Sequence, residues 1–486
     1  MYISPAMERH PFFLVWVLFG LLWTPLSAQG HEGSEFNSYL VDFTKGDANG
    51  SLINTTISAW GLSTIRKSQP GQFRSNSHPV DLVRPRQMQT VSPVLYIDNF
   101  LEGQVEISLR FSSDSLSWGS WQALSHHEPW HPYDSLLVAD PIFVGTDIKY
   151  FQFLVTFLPT QPGSEPVRIR ALRFDYFTPG DQTAISPQDL VSHPILGANI
   201  NPSCDCEPPL FATRTEWGCP DGQSPSCAQP AYAPVSHMIV HHSATPGTAT
   251  NWAAVVLSIW NYHVNTNGWC DIGYNWLIAP DGVVYEGRGG GNNVRGAHFC
   301  GTNTGTMGIC MMGTYEETDP TPEALASLEK LLAWKGCDAG LDVTSTQLHA
   351  SSGLLLPTIA GHQDGCNTLC PGQHLYADLP SVRTQVSDQM EACAITSIAH
   401  APLALEVKLY PNPSEGQVTL ALDLTSPFQG EVVVRNHLGQ LLEREELRLP
   451  AGQHFREYQF STLPRGLYYI QLRSARRQRS LPLLLR

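Results

Sequence analysis

The chain has 486 residues and a formal net charge of −15, from 29 Lys and Arg against 44 Asp and Glu. At ~150 residues per domain, this length predicts about three domains. Hydrophobic residues make up 42% of the chain and aromatic residues 10%, which excludes a disordered or low-complexity protein. The negative charge argues against a general phosphate-binding surface, so we expect no nucleic-acid partner.

An export signal is predicted at residues 1–28. Phe12–Leu22 is an apolar run, preceded by Arg9 and followed by small residues up to Ala28. The run is shorter than the ~20 apolar residues of a membrane helix, and no later stretch approaches that length, so we expect no stable membrane span. An uncleaved membrane anchor is the less favoured alternative. Export would place the chain where disulfides form.

Residues 29–180 contain short runs that alternate apolar and polar residues, such as Val105–Phe111, separated by Gly, Ser, Asp and Pro. This pattern predicts an antiparallel β-sandwich as an accessory domain. The segment 112–121 resembles a strand, turn and paired-Trp element of β-sandwich modules that accompany secreted amidases. Its aromatic pair, Trp118 and Trp121, is able to stack on sugar rings, but packing is the favoured interpretation.

A linker is predicted at residues 181–210, which are rich in Pro, Ser, Asn and Gly. The next segment, residues 211–395, mixes helical and strand patterns and predicts a mixed α/β domain. Two helices are expected, at residues 251–264 and at residues 322–335, the second ending at Gly336. The expected strands are His237–His242, Tyr274–Ala279, Val283–Glu286 and Thr306–Met312.

Two histidines and one cysteine of this segment are candidate metal ligands. His241 comes at the end of a predicted buried strand, and His362 and Cys370 lie eight residues apart in a turn-rich loop. Neither spacing is a standard zinc motif. Considered singly, each histidine fits a packed or surface residue, and the cysteine fits one half of a disulfide.

Considered together, seven ordered blocks between residues 210 and 390 resemble the family of peptidoglycan recognition proteins and phage lysozymes, which are zinc N-acetylmuramoyl-L-alanine amidases. The blocks are Arg214–Gly218, Ile239–Thr245, Tyr262–His263, Gly268–Trp276, Val284–Arg288, Gly296–His298 and Gly361–Pro371. The resemblance implies a multidomain protein whose central domain is a β-sheet flanked by helices. It also implies one bound Zn²⁺ and bacterial peptidoglycan as the substrate.

The family's roles transfer to individual positions. The resemblance makes His241, His362 and Cys370 the zinc ligands and leaves a fourth position for water. It makes Tyr274 a hydrogen-bond donor to that water or to the developing oxyanion, with Thr368 as its companion. Some relatives have Lys in place of Thr368.

Other residues of these blocks carry weaker predictions. His298 is expected either to contact the metal ligands or substrate or to be a buried structural histidine, and Arg288 to contact substrate. Packing or solvent exposure is expected for His237 and His242. Gly290 replaces an aromatic residue of the relatives, so the preference for diaminopimelate or lysine in the stem peptide is not predicted.

All eleven cysteines lie between Cys204 and Cys393. If Cys370 is a zinc ligand, ten remain, which allows up to five disulfides. Cys310, in a probable buried strand, is expected to be a free thiol. Two pairs are close enough in sequence for local bridges, Cys219 with Cys227 and Cys204 with Cys206.

The last segment, residues 405–486, alternates again and predicts a second β-sandwich. Its blocks Leu409–Gly416 and Arg465–Leu472 resemble the C-terminal sorting domain of the type IX secretion system. The resemblance implies the secretion machinery as a partner and a secreted or cell-surface location. The end of the chain, Leu481–Arg486, departs from the usual Lys-rich strand, and a carbohydrate-binding sandwich is the alternative.

The sequence therefore predicts a secreted zinc amidase that cuts the lactyl amide between N-acetylmuramic acid and L-alanine. Two other functions stay open. One is a non-catalytic peptidoglycan-binding protein, as in relatives that lack the cysteine ligand. The other is a zinc peptidase that cuts within the stem peptide.

Overall fold

The computed structural model describes most of the chain outside its N-terminal 33 residues, so the predicted export signal lies outside the described part. The described residues are 34–46, 48–80, 89–100, 103–125, 135–145, 148–160, 165–195, 204, 206–224, 227–399, 405–424, 427–436, 441–474 and 477–486. Within these ranges, no helix combines the length and the apolar character that crossing a bilayer requires.

The described residues of the N-terminal sheet region form thirteen strands. They are β1 (Glu35–Asp42), β2 (Gly50–Ile53), β3 (Thr55–Ser58), β4 (Gly61–Thr64), β5 (Gly71–Ser75), β6 (His78–Pro79), β7 (Gln89–Asp98), β8 (Val105–Ser112), β9 (Gln122–Ala123), β10 (Leu136–Val138), β11 (Ile142–Val144), β12 (Tyr150–Phe157) and β13 (Arg168–Thr178).

These strands form a seven-stranded and a six-stranded sheet. Side chains from both sheets enter one buried apolar cluster, including Phe73 and Phe153 from the six-stranded sheet and Leu62 and Phe174 from the seven-stranded sheet. Alternate residues of β12 are buried, as expected for a strand with one face on a core. The predicted sheet-rich N-terminal region is confirmed.

The paired tryptophans of this region pack around a cation. The guanidinium carbon of Arg110 lies 5.0 Å from the ring centre of Trp118 and 4.6 Å from that of Trp121. Both distances fit cation–π contacts. The contacts favour the packing interpretation of the pair over a free sugar-stacking platform.

The central region contains seven strands and three α-helices. The strands are β14 (His237–His242), β15 (Trp276–Ile278), β16 (Val284–Glu286), β17 (Thr306–Met311), β18 (Thr346–His349), β19 (Leu354–Pro357) and β20 (Ile359–Gly361). The helices are α1 (Trp252–Asn261), which continues into a π-helical turn (Tyr262–Thr266), α2 (Pro322–Ala339) and α3 (Gln373–Ala399).

Five strands form the central sheet in the order β16-β15-β17-β14-β20, and β18 and β19 form a separate hairpin. Strand β14 runs parallel to both β17 and β20, its neighbours. The carboxyl ends of β14 and β20 therefore meet at one edge, which is where ligand sites form in parallel sheets. The mixed α/β prediction for this region is confirmed.

Helix α2 begins where the sequence predicts, but it ends later. The side chain of Thr321 accepts a hydrogen bond from the Ala324 N–H as an N-cap, and the helix ends at Ala339, followed by the C-cap Gly340 with a φ of 65°. The predicted end at Gly336 is wrong. A Cβ atom at Gly336 would lie 2.7 Å from Val343 and 3.0 Å from the Met390 sulfur of α3, so this glycine permits close helix packing.

Four disulfides stabilise the central region, and the two predicted local bridges are wrong. The bonded pairs are Cys204–Cys337, Cys206–Cys393, Cys227–Cys270 and Cys300–Cys366. The linker cysteines thus bond to α2 and α3 rather than to each other. Cys219, Cys310 and Cys370 are buried and form no disulfide, as predicted for Cys310 and as a metal ligand at position 370 requires.

In the C-terminal sheet region, the residues that the structure describes form seven strands. They are β21 (Leu405–Tyr410), β22 (Gln417–Leu424), β23 (Phe428–Asn436), β24 (Leu441–Leu449), β25 (Gly452–Gln459), β26 (Gly466–Ser474) and β27 (Arg477–Leu485). A three-stranded and a four-stranded sheet share one apolar cluster, to which Leu420 and Ile470 contribute from opposite sheets.

Candidate functional site

The predicted metal ligands lie at the carboxyl-end edge of the central sheet. His241 is the second-last residue of β14, and His362 directly follows β20. Cys370 lies in the turn that precedes α3. Two segments that are distant in sequence, the end of β14 and the loop from His362 to Cys370, therefore bring their side chains to one point.

The three side chains are close enough to bind one ion. Their ligand atoms all lie within 4.8 Å of one another. The Sγ atom of Cys370 lies 3.7 Å from Nδ1 of His241, and the ring centres of His241 and His362 are 4.4 Å apart. All three residues are buried, Cys370 with 1% of its surface exposed. The predicted convergence is observed, while coordination of a metal stays a prediction.

The chemistry of these donors fits zinc. Zinc takes imidazole nitrogen and thiolate sulfur as ligands, and a catalytic zinc has three protein ligands and an open fourth position. Burial raises the pKa of the Cys370 thiol, and the backbone N–H of His242, 3.3 Å from Sγ, lowers it in part. A divalent cation at this point would favour the thiolate further.

A hydrogen-bond chain orients the ring of His241. Its Nε2 atom lies 3.0 Å from Nδ1 of His298, whose Nε2 atom lies 3.2 Å from the hydroxyl of Thr306. Burial, and then the charge of nearby His362, lowers the pKa of His298 to about 3, so its ring is neutral near pH 7. Of the two roles predicted for His298, contact with a metal ligand is the one that the geometry favours.

Space for His298 comes from a glycine in the adjacent strand. A Cβ atom at Gly308 in β17 would lie 2.5 Å from the His298 ring, closer than side-chain contacts allow. The same ring lies 2.6 Å from the Cβ position of Gly296. Glycine at positions 296 and 308 therefore leaves the space in which the His298 ring contacts His241.

The candidate ligands border an open cleft whose other wall is aromatic. The wall consists of Tyr262, Trp269 and Tyr274, which line the same cavity as His362 and Cys370. The ring of Tyr274 lies 5.3 Å from that of His241, centre to centre. The structure thus brings Tyr274 to the candidate metal site, as the sequence predicts for a hydrogen-bond donor.

Thr368 contacts the backbone of Cys370, and its predicted role as the companion of Tyr274 stays a prediction. Its hydroxyl accepts a hydrogen bond of 3.1 Å from the backbone N–H of Cys370. Thr368 is also absent from the described residues that line the cleft. Its observed contact fixes the turn that presents the cysteine sulfur.

Arg288 lies beside a neighbouring cavity rather than in the cleft. Its guanidinium donates to the Ile272 carbonyl at 3.2 Å and lies 3.2 Å from the Cys227 sulfur. It lines a cavity of about 300 Å³ that shares Ala297 with the metal cleft. Burial lowers the pKa of Arg288, and Asp271 opposes this change.

The remaining histidines near the site are buried. His237 and His242 are 0% and 4% exposed, which fits the packing interpretation. His263 stacks on Trp269 with ring centres 4.6 Å apart, and its Nδ1 atom accepts a hydrogen bond from the Gly273 N–H. Burial lowers the pKa of His263 to about 3.

Three residues at the site escaped sequence analysis. Asp140 and Pro141, from the N-terminal sheet region, line the metal cleft, and Asp140 is the only described carboxylate that does so. No local motif marks either residue, because their position depends on how the two regions pack. Thr306, the partner of His298, was missed although it opens the predicted strand β17.

Comparison with known families matches two parts of the chain. A family model described as N-acetylmuramoyl-L-alanine amidase matches residues 231–373. A second model, described as a secretion system C-terminal sorting domain, matches residues 408–482. A sorting domain of this kind implies secretion or attachment at the cell surface.

Individual relatives match the central region. Peptidoglycan recognition protein 1 of Bos indicus is 37% identical over 174 residues, which are 34% of this chain and 80% of that protein. Peptidoglycan-recognition protein SC1a of Drosophila melanogaster is 39% identical over 147 residues, 30% of this chain and 72% of that protein. The solved structure of Drosophila PGRP-LB is 27% identical, covers 35% of this chain and 92% of its own, and has a TM-score of 0.30.

Sequence identity above 30% extends over more than two thirds of these two relatives, and the matched span contains His241, His362 and Cys370. The chain therefore belongs to the family of peptidoglycan recognition proteins and type 2 N-acetylmuramoyl-L-alanine amidases, and it ends in a C-terminal sorting domain of the type IX secretion system.

Proposed function

We propose that the protein is a secreted zinc-dependent N-acetylmuramoyl-L-alanine amidase. Its substrate would be bacterial peptidoglycan, cut at the lactyl amide between N-acetylmuramic acid and L-alanine. The observation that carries the proposal is the buried cluster of His241, His362 and Cys370, with ligand atoms within 4.8 Å of one another beside an open cleft.

In this proposal, His241, His362 and Cys370 hold one Zn²⁺. When bound, zinc supplies a Lewis acid for the amide carbonyl and lowers the pKa of water to about 7. The chain's own residues prepare the site for this ion. His298 fixes the ring of His241 at 3.0 Å, and Thr368 holds the turn of Cys370 through its backbone N–H.

Tyr274 is the proposed hydrogen-bond donor to the substrate. Its ring stands 5.3 Å from that of His241 and lines the cleft that the amide of the substrate would enter. A donor that strengthens its bond as negative charge develops on the amide oxygen lowers the reaction barrier.

A non-catalytic binding protein is the second candidate, favoured by one observation. The matched relatives carry the name peptidoglycan recognition protein rather than amidase. Recognition proteins without the cysteine ligand are expected to bind without cutting. The presence of a buried, unbridged Cys370 supports catalysis here.

Digestion of purified peptidoglycan separates the candidates. We expect mass analysis of the products to show intact stem peptides with a free L-alanine amino terminus. Cuts between stem residues would identify a zinc peptidase instead. Binding without any cleavage, in protein with a full complement of zinc, would identify a recognition protein.

We also propose the domain division that the sequence predicts: a signal peptide at 1–28, a β-sandwich at 29–180, a linker at 181–210, the amidase domain at 211–395 and the sorting domain at 405–486. The shared apolar cluster of each pair of sheets supports both sandwiches.

A further inference from the structure

The N-terminal sheet region packs firmly against the central region. Phe177 of β13 belongs to the same buried apolar cluster as Trp252 and Val256 of α1. The Arg173 guanidinium donates to the carbonyl of Thr266 at 3.4 Å, in the π-helical turn after α1. The two regions are therefore held together along one side of α1.

Asn251 contributes to this packing while it caps the helix. Its Oδ1 atom accepts a hydrogen bond from the Ala254 N–H at the start of α1. Its Nδ2 atom donates to the carbonyl of Gln182 at 2.7 Å. One side chain thus fixes both the first turn of α1 and the segment that follows β13, so a cavity between them has defined walls.

Such a cavity lies between the two regions, next to the metal cleft. Its volume is about 680 Å³, within the range of small-molecule sites. The segment around β11 joins it to the cleft, because Asp140 and Pro141 line the cleft while Phe143 and Val144 line the cavity. Thr245 lines both spaces.

The chemistry of this cavity favours an uncharged, hydroxyl-rich ligand. None of the described residues that line it has an ionisable side chain. Thr248 and Thr250 offer hydroxyl groups, and Phe143 adds an aromatic ring. A stem peptide carries free carboxylates, which would need cationic partners in such a place. An N-acetylated sugar has neutral hydroxyl and amide groups that match these side chains.

We propose that this cavity is a binding site for neutral N-acetylhexosamine units of a glycan strand, built jointly by the N-terminal and central regions. It holds the sugars next to the muramoyl residue whose amide lies at the metal site. The identity of that strand as peptidoglycan rests on the proposed function, whereas the sugar chemistry rests on the cavity itself. The N-terminal sheet region then acts as a substrate-binding part of the enzyme.

The test uses a ligand without any scissile amide, the β-1,4-linked tetramer of N-acetylglucosamine, titrated into the full chain by calorimetry. Thr248→Trp and Ala184→Trp fill the cavity from opposite walls, and both residues are exposed, so the fold tolerates them. Thr183→Trp is the matched control, because Thr183 is exposed and adjacent to Ala184 but does not line the cavity.

We expect the wild-type chain and Thr183→Trp to bind the tetramer equally, and both cavity variants to bind at least tenfold more weakly. The KM for polymeric peptidoglycan should rise in the same two variants. Absence of tetramer binding by the wild-type chain, or equal binding by all four proteins, would overturn the inference. If the wild-type chain binds the tetramer, the cavity variants do not, and the wild-type chain cuts no peptidoglycan, the proposed function would be refuted and the sugar site would be supported.

Discussion

Nε2 of His241 lies 3.0 Å from Nδ1 of the buried His298, while Nδ1 of His241 faces the Cys370 sulfur. The contact with His298 therefore orients the His241 ring toward the candidate metal site. The His298 ring has its place only because residue 308 is a glycine. Partners of this kind typically contribute 10- to 100-fold to metal affinity.

Gly308→Ala should therefore weaken zinc binding by roughly 10- to 100-fold, because the added methyl group displaces His298 and releases the ring of His241. Competition with a chromogenic chelator measures the zinc affinity. Gly247→Ala is the control, since no atom lies within 4 Å of a Cβ added at Gly247. Equal affinity in both variants would show that the contact with His298 does not orient His241.

Cys370→Ala should lose both bound zinc and hydrolysis, because a site with two histidines alone lacks the thiolate that completes the ligand set. Metal content by mass spectrometry and peptidoglycan digestion are the two measurements. Cys219→Ala removes another buried, unbridged thiol and should keep its zinc. Full activity in a zinc-depleted sample of Cys370→Ala would refute the mechanism.

Tyr274→Phe should keep its zinc and lose most of its turnover. Removing one donor to a developing oxyanion typically lowers kcat by about 10²- to 10³-fold. Steady-state kinetics on a soluble muropeptide should show this fall with little change in KM. Tyr232→Phe, which removes an exposed hydroxyl that donates to the Gly290 carbonyl, should retain wild-type kinetics. An unchanged kcat in Tyr274→Phe would exclude the proposed role.

His263 should make the central region less stable in acid. Burial lowers its pKa from 6.5 to about 3, so between these pH values His263 is protonated in the unfolded chain and neutral in the folded chain. The neutral His263 ring therefore contributes in full to the free energy of unfolding above pH 6.5. This contribution decreases by about 1.4 kcal/mol per pH unit as the pH falls from 6.5 toward 3. Denaturant unfolding at pH 7 and pH 5 measures the loss.

His263→Gln should reduce that difference between pH 7 and pH 5, because glutamine does not titrate. His454 is half-buried and belongs to the C-terminal sheet region, so His454→Gln is the control and should leave this difference in the central region unchanged. The same acid sensitivity in all three proteins would place its origin in other groups.

The two linker disulfides should stabilise the central region. Loss of one native disulfide typically costs about 2–5 kcal/mol. The double variant Cys204→Ser with Cys206→Ser removes the bonds to α2 and α3. We expect its calorimetric transition for the central region to move several degrees lower. A transition at the wild-type temperature would mean that packing alone holds the linker.

Local patterns in the sequence predicted the parts of the site that depend on local structure. The bounds of β14 were predicted as observed, because an apolar run between polar residues marks a buried strand. The resemblance to a family then identified His362 and Cys370, which spacing alone could not join to His241. The structure adds that the ligand atoms of the three side chains lie within 4.8 Å of one another.

Features that depend on packing between distant segments could not be predicted. Helix α3 was missed because Pro380 lies inside it, and proline ordinarily marks a helix boundary. The linker cysteines were paired by sequence distance, whereas their partners are 133 and 187 residues away. Asp140 lines the cleft because the N-terminal and central regions pack together, and the sequence of one segment does not show that packing.

The bond between Cys206 and Cys393 closes the polypeptide between them into a covalent ring that contains all three candidate metal ligands. The sorting region begins at Leu405, beyond the ring. A protease that trims the exported chain after Cys393 would release that region without opening the ring. Removal of the sorting region by such a cut would therefore leave the three candidate metal ligands inside an intact covalent ring.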